Sequence, residues 1–382
     1  MHFIAEYMGV ATHHFVGDSL GGSHISALSL IDALPEQGVQ PVVGLHQTAG
    51  PLAKHLNQRG TSFEALPANA VVSGGGLVRE PLRMLAAGRT LAHMLRENNW
   101  TVVHTNDARM HLTWAVAARL SGSAHVWHQR TVNPSRRLGL YARLPARVLT
   151  ISDYCRAGLP PGMARRATVV DEPVDLPSTD ASAKTTHRER LAAELSIPST
   201  SMIIGFVGNM EEQKRPGLFL DLAARLVDTD SHFVMVGDTR HFLNDSRRAA
   251  LASGPLANRV HFTGPRFPIL PYMASFDVLV APGVREGLGR TVIEAMLLSV
   301  AVVAADDGGH RDIVEHGRTG YLARPDDADD FSEKLRSLIE DPAGRTALAG
   351  AGREAVAARF SARQHAETIA GLYADLAPDI RH

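Results

Sequence analysis

Apolar residues along this chain come in short runs, and stretches of helical spacing separate them. Met1–Met8 predicts a first strand, followed by a loop that carries Gly17, Gly21 and Gly22. Over Ser23–Pro35, the residues Ile25, Leu28 and Ile31 recur near a helical period, which predicts a helix. Further strand-like runs lie at Gln40–His46, Ser62–Leu66, Thr101–His104, Ala124–Trp127, Val148–Ile151 and Ala167–Val170. Helical patterns fall between them at Leu52–Gln58, Arg79–Asn98 and Ala108–Leu120. That alternation predicts a parallel sheet covered by helices on both faces. From Leu176 to Thr200, Ser, Thr and Ala dominate and periodicity fades until Arg188–Leu195, which predicts a domain boundary. A second series then runs through Met202–Gly208, His232–Gly237, Val260–Thr263, Val278–Ala281, Val300–Ala304 and Gly320–Ala323. The expected fold class is α/β, with two Rossmann-like, doubly wound domains over 1–176 and 201–361 and a linker at 177–200. A helix within 362–382 is expected to pack back on the first domain. Sheets of this kind bind ligands at the carboxyl ends of their strands, so the expected site is a cleft which the two domains face.

Composition narrows the function classes. The 382 residues hold 39 basic and 40 acidic side chains, without the basic surplus expected of a nucleic-acid binder. A single cysteine, Cys155, excludes a disulfide scaffold and a multi-cysteine metal site. Only four of the 39 basic residues are lysines (54, 184, 214 and 334), a bias of the kind that high-GC bacterial coding imposes, so each lysine is informative. The first twenty residues lack a basic start and a long apolar core, which predicts no secretory signal. The longest apolar stretch, Ala295–Ala305, falls short of the roughly 20 residues that span a bilayer. A cytoplasmic protein is expected, peripheral on the inner membrane face at most. Arginines 130, 136, 137, 143, 147, 156, 165 and 166 interleave with Leu138, Leu140, Tyr141 and Leu144. They suggest a basic amphipathic surface for an anionic membrane or a phosphorylated acceptor.

The most informative stretch is Glu286–Glu294, which follows a strand and a Pro282-Gly283 turn and opens a helix. Gly287, Leu288 and Gly289 let the backbone approach a ligand closely, and the free N–H groups of a helical first turn point at an anion. Gly289, Arg290 and Thr291 are the expected phosphate contacts. Glu294, one turn further, suits a vicinal diol such as ribose, and Glu286 faces the far end of the ligand. A second turn, from Gly208 and Asn209 to Lys214 and Arg215, places a cation before the helix that Pro216 starts. Such a cation suits a diphosphate.

The segment from Gly205 to about Phe360 resembles the donor domain of family-4 glycosyltransferases of the GT-B fold. The resemblance rests on the Glu286-x7-Glu294 pattern, on Gly208–Lys214 and on Val260–Gly264. It also rests on Phe276–Pro282, Gly308-Gly309 before Asp312–Val314, and Gly317–Leu322, all in the family's order. It implies a retaining transfer of a sugar from a nucleoside-diphosphate sugar, UDP or GDP in the first instance, with no obligatory metal or other cofactor. The acceptor class is a hydroxyl of a glycan, a lipid-linked glycan or a small molecule, as in polysaccharide biosynthesis. By that resemblance Glu286 contacts the donor sugar, Glu294 the ribose, and Lys214 the diphosphate, while Gly264, Pro265 and Arg266 lie near the base. The first half resembles the acceptor domain more loosely. There Gly21-Gly22 matches a glycine-rich loop, and His128 takes the place of a histidine near the donor sugar. His13 and His14 are expected on the first loop. One departure is Asn209, where the family usually has an arginine; Arg290, Arg215 or Arg266 are the candidates to compensate. Two alternatives stand beside transfer: a nucleotide-sugar epimerase or phosphorylase, and a sugar-binding module without turnover.

Two motifs read as coincidences. Asp228-Thr229-Asp230 resembles a metal-binding Asp-x-Asp but falls on a turn away from a strand's carboxyl end. Gly17–Gly21 matches Gly-x-Ser-x-Gly, but His13–Val16 reads as a poor buried strand to precede a nucleophile.

Overall fold

The computed structural model describes residues 9–72, 76–132, 136–174, 181–240 and 242–376. The chain divides into two compact units, Met1–Asp175 with Phe360–His382, and Leu176–Arg359.

In the first unit the order is β1 (Gly9–Phe15), α1 (Gly22–Ala33), β2 (Val39–Leu45), α2 (Pro51–Gln58), β3 (Glu64–Ala65) and α3 (Gly76–Glu97). It continues with β4 (Val102–Thr105), α4 (Ala108–Ser121), β5 (Ala124–Gln129), β6 (Arg147–Thr150), α5 (Asp153–Ala157), α6 (Pro161–Ala164) and β7 (Ala167–Val169). The sheet is parallel, in the order β3-β2-β1-β4-β5-β6-β7. The strand predicted at Met1–Met8 lies outside the described residues. The described first strand is β1, which carries His13 and His14 into the middle of the sheet rather than onto a loop. A polar sequence is tolerated there because the hydroxyl is bonded and the neutral rings stack on other rings. Thr12 donates its hydroxyl to the Val102 carbonyl at 3.0 Å. His13 stacks on His104 at 4.9 Å, and His14 lies flat on Trp114 at 3.6 Å.

The second unit holds α7 (Ala181–Leu195), β8 (Met202–Val207), α8 (Pro216–Arg225), β9 (Ser231–Val236), α9 (Asp245–Ser253), β10 (Val260–Gly264) and α10 (Leu270–Met273). After these come β11 (Val278–Ala281), α11 (Arg290–Leu297), β12 (Ala301–Ala305), α12 (His310–Ile313), β13 (Tyr321–Ala323), α13 (Ala328–Glu340) and α14 (Pro342–Arg359). Its sheet order is β10-β9-β8-β11-β12-β13, again parallel with the first strand of the series at the centre. Strands β9 and β12 are buried along their whole length, so their sequences read as continuous apolar runs. The rings of Phe206, Phe219 and Phe233 anchor the core, each successive pair 5.6 Å apart. Gly205 is a packing glycine, because a Cβ there would lie 2.0 Å from the Phe276 ring.

The stretch expected to be a linker is in part helix α7, and it belongs to the second unit. Its apolar signal is weak because polar bonds hold it. Lys184 donates to the Ser299 carbonyl at 3.1 Å, and Arg188 donates to Asp277 at 2.9 Å and to the Ser201 carbonyl at 2.7 Å. A final helix, α15 (Ala362–Leu376), returns to the first unit. It buries Ala366, Ile369, Tyr373 and Leu376 against Leu30, Leu34, Val102 and Val126. No described helix is long and apolar enough to cross a membrane.

Candidate functional site

At the carboxyl ends of β8, β11 and β12, three turns of the second unit meet around one pocket. Lys214, Pro282, Gly283, Glu286, Thr291 and His310 line it, with Phe206 and Val280 beneath. The Lys214 ammonium lies 2.7 Å from Glu286 Oε1. The contact is an ion pair, and beyond the ammonium no N–H or O–H donor among the described residues reaches the buried Oε1. Gly208 leaves β8 at φ +153, and a Cβ on Gly237 would lie 1.9 Å from its carbonyl oxygen. These two glycines let the ends of β8 and β9 close on each other.

The turn before α11 is built by glycine. Gly289 caps the helix in the left-handed region at φ +91, and a Cβ there would lie 2.5 Å from the His310 ring. Gly308, at φ +59, and Gly309 lie against the backbone of Glu286 to Leu288, and the Gly309 amide donates to the Glu286 carbonyl at 2.8 Å. Asp307 accepts from the Arg285 amide. The position of Glu286 is therefore fixed from two sides by backbone. His310 is the residue that the sequence reading passed over. The adjacent Gly308-Gly309 was the signal for it.

Charged neighbours of the cradle are already paired. Arg290 donates to Glu294 at 2.8 Å, one helical turn on. Burial raises the Glu294 pKa, and the Arg290 guanidinium opposes that shift. Arg215 is bound to Asp326 at 2.6 Å, and Arg266 pairs with Glu194 with its guanidinium 5.2 Å from the Tyr272 ring centre. Each of the three arginines expected to stand in for the one missing at Asn209 thus holds a carboxylate. Asn209 itself is exposed at the end of β8. Gly264 ends β10 at φ +72, accepting from the Gly237 amide at 3.1 Å.

In the first unit His128 lies within a strand. The ring is fully buried, 0% exposed, within β5 rather than beyond its end. His128 belongs to a buried chain of polar rings. His104 Nε2 lies 3.1 Å from His128 Nδ1, and His104 Nδ1 lies 2.5 Å from the Tyr373 hydroxyl. Arg130 also donates toward His128 Nδ1, at 3.4 Å, which makes that atom an acceptor. The His104 Nε2–H then donates to it, and the Tyr373 O–H donates to His104 Nδ1. His128 Nε2–H is left facing Glu172 Oε1 at 3.5 Å, and Arg130 binds the other oxygen of Glu172. Burial pushes His104 and His128 well below the usual histidine pKa, and His13 and His365 down to about 3. These rings are neutral.

Arg130 is consequently not part of a basic surface, being 4% exposed against Glu172. Some other members of the expected amphipathic surface are engaged within the unit, while Leu140 is 69% exposed. Arg156 pairs with Asp153, Arg166 donates to the Ala142 and Pro145 carbonyls, and Leu138 is buried. Gly21 and Gly22 open α1, where the His24 ring accepts from the Gly21 amide at 3.2 Å.

The two coincidental motifs have structural roles. Asp228 is held by Arg336 at 2.8 Å, and Asp230 accepts from Ser201 at 3.1 Å, on the turn before β9. The strand before Gly17–Gly21 is buried after all. Ser19, however, hydrogen-bonds the Asp18 carboxylate, which Arg109 grips through two donors at 2.7 and 2.9 Å.

Comparison with known proteins agrees with both units. Residues 20–177 match the family described as Glycosyltransferase Family 4, and residues 201–341 match Glycosyl transferases group 1. Among relatives, a 2-deoxystreptamine glucosyltransferase of Streptomyces kanamyceticus is 31% identical over 60% of each chain. A D-inositol 3-phosphate glycosyltransferase of Corynebacterium jeikeium is 30% identical over 52% of this chain and 49% of its own. The matched segments thus span about half to three-fifths of these relatives. In structure, Anabaena Alr3699/HepE in complex with UDP superposes with a TM-score of 0.79 at 20% identity, covering 96% of this chain and 100% of that one. Its complex with UDP-glucose gives a TM-score of 0.75 at 21% identity, covering 96% and 99%.

Proposed function

The chain belongs to the family-4 glycosyltransferases of the GT-B fold, and from that premise we propose that it moves a sugar from a nucleoside-diphosphate sugar to a hydroxyl acceptor. The observation that carries the reading is the convergence of Lys214, Glu286, Thr291 and the Gly289 turn on one pocket. In such a transfer the acceptor oxygen bonds to the anomeric carbon as the carbon–oxygen bond to the diphosphate breaks. The bonding electrons leave with the diphosphate, and the acceptor's proton passes to a phosphate oxygen. Negative charge grows on the leaving group. A lysine and free helical N–H groups fixed beside it stabilise that change, because they need no reorganisation as it develops. Retention of configuration follows if the acceptor enters on the face the diphosphate leaves.

In this reading Glu286 binds sugar hydroxyls through its carboxylate. Lys214 exchanges part of its contact with Glu286 for the diphosphate. UDP-sugars are the first donors to try, since the Anabaena protein was solved with UDP and UDP-glucose. Small polyhydroxylated rings are the first acceptors, given the names of the relatives.

The test is release of the nucleoside diphosphate from UDP-, GDP- and ADP-sugars with and without such acceptors. Acceptor-dependent release is expected, with Lys214→Ala and Glu286→Ala abolishing it. Unchanged rates in both variants would remove this pocket from the reaction. The exposed Asn209 and the three paired arginines favour one second reading, a sugar-nucleotide binder without turnover. Calorimetric binding with no diphosphate release would select it. A membrane-borne acceptor would show as salt-sensitive, lipid-dependent sedimentation with anionic liposomes.

A further inference from the structure

We propose that His310 is a specificity residue of this pocket: its Nε2 accepts a hydrogen bond from one hydroxyl of the bound sugar, so the protein discriminates against the donor that lacks that hydroxyl. The proposal rests on reading the pocket as a donor site, and it deepens that reading.

His310 opens the short helix α12 and is 2% exposed, yet its ring forms part of the pocket wall beside Lys214, Glu286 and Thr291. Its orientation is fixed. Nδ1 lies 3.2 Å from the Ala305 carbonyl, which can only accept, so the proton is on Nδ1. A neutral imidazole has one donor and one acceptor, and Nε2 is then a bare lone pair. Among the described residues nothing donates to it. The turn at Gly289 runs beside this same edge, where a Cβ would lie 2.5 Å from Cδ2 and 3.0 Å from Nε2, so only a glycine there leaves Nε2 approachable.

Burial, rather than the charges around the ring, holds it toward the same protonation state. Burial lowers the His310 pKa and Lys214 adds to that, while Glu286 and Asp307 work in the opposite direction and the Ala305 carbonyl favours the proton on Nδ1. A neutral Nε2 repels a phosphate oxygen, because both carry only lone pairs. It attracts an O–H. Glu286, whose Oε1 is held by the Lys214 ammonium at 2.7 Å, is a second acceptor on the same wall. Two acceptors lining one pocket suit a ligand that brings hydroxyl donors. The phosphates therefore belong by the amides and Lys214, and the sugar belongs by His310.

The experiment is calorimetric titration of the full chain with UDP, UDP-glucose and the four monodeoxy analogues of UDP-glucose. The wild type is expected to bind one analogue about tenfold more weakly than UDP-glucose. His310→Phe, which keeps the ring and removes the acceptor, is expected to bind UDP as the wild type does. It is expected to bind UDP-glucose about tenfold more weakly and to treat that analogue and UDP-glucose alike. His310→Gln, which restores an amide acceptor, should recover part of the difference. Full discrimination retained in His310→Phe overturns the role. So does an equal loss of UDP and UDP-glucose in both variants, which marks a purely structural residue. A wild type that binds none of UDP-, GDP- and ADP-glucose instead overturns the reading of the pocket on which the proposal rests, and if it binds GDP- or ADP-glucose alone the analogue series is run with that nucleotide.

Discussion

The Tyr373 hydroxyl lies 2.5 Å from Nδ1 of His104, and this bond joins helix α15 to the central strand β4 inside the first unit. Both groups are fully buried, so neither has water as a substitute partner. Tyr373→Phe removes the donor and leaves the imidazole acceptor unmatched. A loss of about 1–3 kcal/mol is expected, the usual penalty for stranding a buried polar group. A lower urea midpoint at unchanged slope is the signature. An unchanged midpoint would mean that the bond adds nothing.

A second expectation concerns acid. His13, His125 and His365 are held down to about 3 by burial, against an ordinary value of 6.5. Above pH 6.5 the rings are neutral in both states and nothing is lost. As pH falls from 6.5 toward 3, the unfolded chain binds protons that the folded chain refuses. Stability declines across that window, by up to about 1.4 kcal/mol per pH unit for each ring. His14, His104, His111 and His128 are displaced in the same direction and add to the slope. Urea midpoints measured from pH 7.5 to 5 should fall steeply. A flat profile would contradict the neutral-ring assignment.

Arg130 and Glu172 are both nearly inaccessible, at 4% and 2% exposure. Arg130→Met leaves a buried carboxylate without its cation. A cost of about 3–5 kcal/mol is expected, well beyond that of an exposed pair. Arg311→Met, which breaks an exposed pair with Asp306, is the comparison and should change the midpoint little.

Glycine 289 supplies a fourth test. An alanine there meets both φ +91 and the His310 ring. The left-handed backbone alone costs about 1–2 kcal/mol with a side chain, and the clash displaces a pocket wall. Gly289→Ala is expected to lower thermal stability and to weaken nucleotide binding at least tenfold. Gly350→Ala, in the middle of α14 with nothing within 4 Å of the added carbon, is the control. It should stabilise slightly, because helix interiors favour alanine over glycine.

How far these features could be read from the chain depended on distance along it. The strand runs of the second unit were legible because each is a continuous apolar segment, as in Val278–Ala281, and Glu286–Glu294 is a local motif. His128 was misplaced because what surrounds it comes from elsewhere: His104 from β4, Glu172 from beyond β7, and His365 from α15. An imidazole looks the same in sequence whether it faces solvent or another imidazole. Arg130 was set among surface arginines for the same reason, since it finds its carboxylate 42 residues away. Helix α7 escaped notice because backbone carbonyls and Asp277, rather than an apolar stripe, hold it in place.

The return of α15 to the first unit also bears on how the chain is made. The second unit is continuous, Leu176–Arg359, and all its strands and helices have been translated before α15 emerges. The first unit lacks Ala366, Ile369, Tyr373 and Leu376 from its core until then. Domains ordinarily fold in the order of synthesis. Here the half translated first is the half completed last, and until Tyr373 leaves the ribosome His13 of β1 and His104 of β4 lack the ring that covers them.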